Sequence, residues 1–314
     1  MSESAVRSSA GTALANLKDR LVGRQRELEL VLAALDAGRH ILIEGPPGTG
    51  KSTLLRAVSD ELGVGFEFVE GNAELTPARL VGHFDPARVL AEGYDPDVFV
   101  DGALITAMRD GSLLYVEELN RVPEETLNVL ITVMSERELH VPRLGRIVAD
   151  PGFRLVAAMN PFDAVGTARI SSAVYDRVCR LSVDYQTAKE EEAIVSRAVP
   201  TADDRWLERI VELVRRTRSH PDLRVGSSVR GALDATAVVS SLAALREQPI
   251  TTPSVGLDAI LIALSGRVRL REGSLRTSEE IITELWGEIF GTTQPDGDGA
   301  NTGKAKAPTG PSPG

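Results

Sequence analysis

The stretch Ile41-Leu42-Ile43-Glu44-Gly45-Pro46-Pro47-Gly48-Thr49-Gly50-Lys51-Ser52-Thr53 holds the residue types that wrap a polyphosphate. Gly45, Gly50, Lys51 and Ser52 fit the spacing G-x-x-x-x-G-K-[ST] of a phosphate-binding loop. Glycines let successive backbone N–H groups turn inward around an anion, where a Cβ would intrude. Lys51 can reach the outer phosphates as a point charge, and the Ser52 hydroxyl can ligate magnesium. Pro46, Pro47, Gly48, Thr49 and Thr53 complete the expected binding segment. Such a loop needs a buried strand before it and a helix N-terminus behind it. The apolar run Arg39–Glu44 predicts the strand, and Thr53–Val58 opens the helix, whose dipole favours the same anion. Strand, loop and helix in that order predict a nucleoside triphosphate site.

Two acids stand downstream at a matching position. Ser112-Leu113-Leu114-Tyr115-Val116 reads as a strand ending in Glu117 and Glu118, and the carboxyl edge of an open α/β sheet is where ligands bind. One carboxylate there can hold a magnesium-bound water, and a second can orient and deprotonate an attacking water. The bland alternative is an acidic pair at a helix entry. Phe153–Asn160 predicts another strand, and Asn160 at its end can hydrogen-bond a γ-phosphate or that water. An Asn-Pro turn is the competing account of Asn160. Arg177 follows Asp176, so a local ion pair is its simplest reading. Arg230 lies near a helix N-terminus, where the dipole disfavours a cation unless an anion is close.

The elements that must carry these residues fall into two groups. Predicted strands cover Arg39–Glu44, Gly65–Glu70, Ser112–Glu118, Phe153–Asn160 and Arg177–Asp184, and a hairpin spans Glu138 to Ala149. Helical spacing appears over Arg24–Ala37, Gly102–Arg109 and Pro123–Glu136. Val81 to Gly111 is irregular and reads largely as an inserted loop, with Phe84 and Tyr94 as packing residues. After Thr187 the strand signals stop, and amphipathic helices are expected over Ala188–Ala198, Asp204–Arg218, Ser228–Leu245, Ser254–Arg269 and Ser278–Phe290. The predicted organisation is a disordered or weakly helical lead-in (1–19), an α/β domain with a mostly parallel sheet flanked by helices (20–186), a smaller all-helical domain (187–290) and a disordered tail (291–314).

Composition bounds the function. A chain of 314 residues is long enough for about two domains with a sizeable core. The net charge of -10 argues against a general nucleic-acid binder. No run is long and apolar enough to span a membrane, and the first twelve residues lack the core of a signal peptide, so a cytoplasmic protein is expected. One cysteine, Cys179, cannot form an internal disulfide and reads as a small buried apolar residue beside Val178 and Leu181. His40, His83, His140 and His220 show no ligand spacing, which leaves magnesium as the sole expected metal.

Gly45–Ser52, Leu113–Arg121, Ala158–Pro161, Tyr175–Val178 and Gly226–Arg230, in that order and spacing, resemble the AAA+ ATPases of the MoxR type over roughly Arg20 to Phe290. The resemblance implies a P-loop AAA+ module with a helical lid, assembled into a homo-oligomeric ring, commonly a hexamer, with ATP and magnesium between neighbours. It makes Lys51 and Ser52 the Walker A residues, Glu117 and Glu118 the Walker B pair, and Glu118 the catalytic base. Asn160 becomes sensor 1, Arg230 sensor 2, and Arg177 the arginine finger acting on the next subunit, with Arg169 and Arg180 competing for that role. Glu117 stands where the family usually has aspartate, and its longer reach implies slower hydrolysis. The implied function is ATP-driven remodelling or maturation of a protein client, beside a separate von Willebrand factor A domain partner and in some relatives with metal-cofactor insertion. A nucleic-acid motor of the same superfamily and a non-hydrolysing ATP switch are the alternatives.

Overall fold

The computed structural model describes residues 3–161, 170–200 and 203–291, with side chains given from residue 11 onward. Five parallel strands, β1 (His40–Glu44), β2 (Phe66–Glu70), β3 (Leu113–Glu117), β4 (Arg154–Met159) and β5 (Val178–Ser182), form one sheet in the order β2-β3-β4-β1-β5. Side chains alternate between its two faces. Ile41, Ile43, Tyr115, Val156 and Ala158 pack on one side with the helices Gln25–Asp36 and Lys51–Leu62. Leu42, Leu114, Val116, Leu155 and Ala157 pack on the other with Ala103–Asp110 and Glu124–Glu136. Apolar on both faces, β1 is buried along its whole length, as a central parallel strand must be.

Two sequence expectations change, and for the lead-in the helical alternative is the one that forms. Cys179 is exposed: β5 is an edge strand, and only Leu181 along it is buried. The lead-in is a helix over Glu3–Lys18, anchored where Ala13 and Leu17 are buried in the core around α-helix Lys51–Leu62. The irregular stretch after Val81 contains an antiparallel pair, Gly82–Phe84 with Phe99–Asp101, and a helix Pro86–Glu92 capped by Asp85. Phe84 there packs edge-on against both Tyr94 and Phe99. The hairpin Glu138–Val141 with Gly145–Val148 forms as expected, and its turn residue Arg143 lies 3.6 Å from the ring centre of Tyr94. The tail from 292 onward and Arg169 lie outside the described residues.

The C-terminal part has its own apolar core, built by Ala188–Ala198, Asp204–Ser219, Val229–Arg246, Pro253–Leu264 and Ser278–Phe290. It also carries a short antiparallel pair, Leu223–Val225 with Arg269–Leu270. Trp206 and Trp286 are buried at its centre, and the Trp206 indole N–H donates to Thr236 Oγ1 at 3.1 Å. Glu191, 1% exposed, accepts from Arg218 at 2.7 Å and Arg215 at 3.1 Å. Arg218 Nε also donates to the Ser227 carbonyl at 2.8 Å, and Arg215 to the Gln186 carbonyl at 2.9 Å. One buried carboxylate therefore joins the connector from the sheet to the turn that precedes Arg230. Removing one member of such a buried pair costs about 3 kcal/mol. Glu191→Ala is expected to lose that much in urea unfolding, whereas Glu192→Ala on the same helix loses under about 0.5 kcal/mol.

Candidate active site

The loop after β1 turns at Gly48 and Gly50, whose φ values of +73° and +81° belong to the left-handed region. Gly50 then caps the helix Lys51–Leu62, which leaves the first-turn amides directed at the loop's concavity. Lys51 Nζ donates to the carbonyls of Gly45 at 3.0 Å and Pro46 at 2.9 Å. The loop is braced from outside by Arg24, which is buried and donates to the carbonyls of Thr49 at 2.9 Å and Asp184 at 2.6 Å.

β3 delivers the acids. Glu117 Oε1 accepts from Ser52 Oγ at 3.0 Å, and the same hydroxyl lies 3.2 Å from Tyr115 OH. The longer side chain in place of aspartate thus reaches the loop serine. A hydroxyl and a carboxylate oxygen side by side are the hard donors magnesium takes, with phosphate and water supplying the rest. Glu118 follows in the left-handed conformation at φ 53°, rare for a residue with a Cβ, which turns the chain sharply at the sheet edge. Its carboxylate pairs with Arg121 at 2.9 Å. Asn160 follows β4 beside this turn, and its carbonyl lies 3.5 Å from Asn120 Nδ2.

Arg230 comes from the helix Val229–Arg246. A Cβ on Gly48 would stand 2.2 Å from Ser228 Oγ and 3.6 Å from Arg230 Cδ, so the helical part closes directly over the loop. Lys51, Ser52, Glu117, Glu118 and Arg230 are therefore brought together. Arg177 is not among them: it donates to Ser135 and to the Ala173 carbonyl, on the far side of β1. Arg180 is held by the buried carboxylate of Glu44, which also accepts from Tyr175 OH at 2.9 Å. Sequence reasoning missed Arg24, Tyr115 and Ser228. Arg24 read as a helix lead-in and Tyr115 as part of an apolar run; nothing local in the sequence shows their partners.

Burial pushes the Lys51 ammonium down to about 8; Glu117 opposes that shift, Arg230 and Arg24 add to it, and Glu118 again opposes it. Burial dominates because the two carbonyls that hold Nζ are neutral. The charged form that attracts polyphosphate is full below pH 7 and drains as pH rises through 8.

Residues 40–178 match the family model of the AAA domain, dynein-related subfamily. Uncharacterized proteins of Staphylococcus aureus strains NCTC 8325 / PS 47 and COL are each 33% identical over 182 residues, covering 57% of this chain and 68% of theirs. Fold and loop together define a P-loop nucleotide-binding protein. Residues 40–178 of this chain therefore form an AAA domain similar to those of the dynein-related subfamily. A crystal structure from Cytophaga hutchinsonii, assigned as an ATPase, superposes with a TM-score of 0.52 at 18% identity, covering 91% of this chain and 96% of that one. The Thermotoga maritima RuvB Holliday junction branch migration motor superposes at 0.54 with 20% identity, over 78% and 71%. At these identities the likeness is one of fold.

The lysine yields a pH test. ATP affinity is expected to stay level from pH 6 to 7 and to fall above pH 8, with binding at pH 9 taking up a proton as the anion recharges Nζ. Calorimetry in two buffers of different ionisation enthalpy reads that proton, and Lys51→Met abolishes both the uptake and the pH dependence.

Proposed function

We propose that this chain is the ATP-hydrolysing subunit of a MoxR-type AAA+ ring in the cytoplasm, which remodels or matures a protein client. The observation that carries the reading is the convergence of Lys51, Ser52 and Glu117 on one end of the sheet, with Ser52 Oγ 3.0 Å from Glu117. Gly45–Thr53 would cradle the phosphates, Ser52 and Glu117 would hold magnesium, and Arg230 would reach across from the lid. Magnesium supplies charge neutralisation on the phosphates. Glu118 then leaves Arg121 and takes a proton from the attacking water, which Asn160 helps to orient.

Arg177 supports an oligomer. Among Arg177, Arg180 and Arg230, Arg230 lies over its own chain's loop and Arg180 is committed to Glu44. Arg177, held away from its own loop, suits a finger for a neighbouring copy. The resemblance to MoxR-type proteins further suggests a hexameric ring and a separate von Willebrand factor A domain partner, with metal-cofactor insertion as one outlet. The presence of Glu118 as a general base beside Glu117 favours turnover over a passive ATP switch, and the net charge of -10 weighs against a nucleic-acid motor.

Phosphate release and sizing test this. Glu118→Gln is expected to bind ATP and assemble like wild type but turn over about 100-fold or more slower. Arg177→Ala falls by a similar or larger factor, and mixing it with Lys51→Ala subunits restores part of the rate, because each supplies what the other lacks. Equal rates in wild type and Glu118→Gln would contradict the hydrolytic role. Turnover by an isolated monomer, unchanged by Arg177→Ala, would contradict the ring.

A further inference from the structure

β1 ends in a carboxylate whose side-chain partners lie outside the phosphate loop and its acids. Glu44 is 2% exposed, one residue before Gly45 and on the same face of the sheet as Leu42. A buried carboxylate needs donors, and two reach it from one segment of chain. Tyr175 OH donates to Oε1 at 2.9 Å, and Arg180 Nε donates to Oε2 at 2.6 Å. Exposure divides unevenly among the three: Tyr175 is 39% exposed and the Arg180 side chain 56%. Surface side chains of that length have many rotamers open to them, and the buried acceptor selects one for each.

Tyr175 and Arg180 stand on either side of Arg177 in the chain. The short helix Ser172–Tyr175 ends at the first and β5 carries the second, so one carboxylate fixes the intervening turn at both ends. Arg177 itself rests on neutral groups, the Ser135 hydroxyl and the Ala173 carbonyl, which an anion presented by another copy can outbid. Glu44 is anchored in turn. Its carbonyl accepts from the Val183 N–H at 2.8 Å, the Gly45 N–H donates to the Met159 carbonyl at 3.1 Å, and the Gly45 carbonyl accepts from Lys51 Nζ at 3.0 Å. One strand end therefore meets both the lysine of this chain's own loop and the turn that carries Arg177.

We propose that Glu44 is a positioning residue for Arg177, its carboxylate fixing the turn from Tyr175 to Arg180 against β1 so that the arginine is presented to a neighbouring copy at a set place. This inference rests on the ring reading above, in which Arg177 completes the neighbour's site. Two directional bonds to the two oxygens of one carboxylate define a position, and the ionised form serves both donors at once. Glutamine at 44 keeps the shape but turns an NH2 group toward one donor and removes the charge that holds the guanidinium. The loop's own contacts do not pass through this side chain. Lys51 uses the carbonyls of Gly45 and Pro46, Arg24 those of Thr49 and Asp184, and Ser52 uses Glu117.

Steady-state ATPase rates of full-chain variants, alone and in equimolar mixtures, test the assignment. Glu44→Gln is expected to keep its affinity for a slowly hydrolysed ATP analogue and its KM within about twofold of wild type, while kcat falls about tenfold. Lys51→Ala copies carry an intact Arg177 and no working loop, so mixing them with Glu44→Gln restores part of the rate. Arg177→Ala copies carry an intact loop and no finger, so mixing them with Glu44→Gln restores nothing beyond the sum of the two. A wild-type kcat in Glu44→Gln overturns the proposal. So does a defect that Lys51→Ala fails to relieve while it does relieve Arg177→Ala, because the fault then lies in the variant's own loop. Should Glu44→Gln fail to fold, Tyr175→Phe removes a single hydroxyl near the surface and is expected to lower kcat about threefold with the same mixing pattern; an unchanged kcat there also overturns the proposal. Failure of Lys51→Ala to relieve Arg177→Ala refutes the ring reading itself, a result separate from any effect at Glu44.

Discussion

An ammonium group taken partly out of water needs compensation, and at Lys51 only part of it is present. Nζ rests on two neutral carbonyls, the Glu117 carboxylate that favours its charge is shared with Ser52, and Arg24 and Arg230 press on it from nearby. The cost of that arrangement shows in a proton held less tightly than usual. A polyanion placed in the loop would satisfy Lys51, Arg230 and the free amides of the following helix together. Much of the architecture serves to keep those groups converged while they repel one another.

The sheet supplies the rigid half of that constraint. β1 is buried throughout and fixed on both sides by β4 and β5, so the loop leaves a strand that cannot shift. β4 ends beside it and β3 beside β4, and together they deliver Glu117, Glu118 and Asn160 to one edge. The helical part supplies the other half. Ser228 and Arg230 approach the loop at Gly48, and Glu191 with Arg215 and Arg218 ties that turn to the connector from β5. Arg218 also lies 3.9 Å from the ring centre of Tyr185, adding a second hold on the same connector. A displacement of the lid therefore reaches the loop through few intermediaries.

The buried framework could be read from residues alone because local and tertiary preferences agree there. Apolar runs ending in Glu44, Glu117 and Asn160 mark strands, and the helices after Thr187 carry regular spacing. Where a tertiary partner decides the outcome, the sequence is silent. Cys179 has apolar neighbours, but its exposure follows from β5 being an edge. Three-residue strands such as Gly82–Phe84 are too short to show a period of two. Arg24 looks like an ordinary surface arginine, and its burial depends on carbonyls 25 and 160 residues away. Of the site, the loop and the acids were visible as motifs. The left-handed turn at Glu118 emerges only once the chain is folded.

The central claim is that the loop and the lid hold one nucleotide jointly. Hydrogen exchange measured with and without a slowly hydrolysed ATP analogue and magnesium tests it most directly. Peptides covering Gly45–Leu54, Asp184–Thr187 and Ser227–Leu233 are expected to gain protection together, and Lys51→Ala to remove all three effects. Protection confined to Gly45–Leu54, with the lid and connector unchanged, would contradict it.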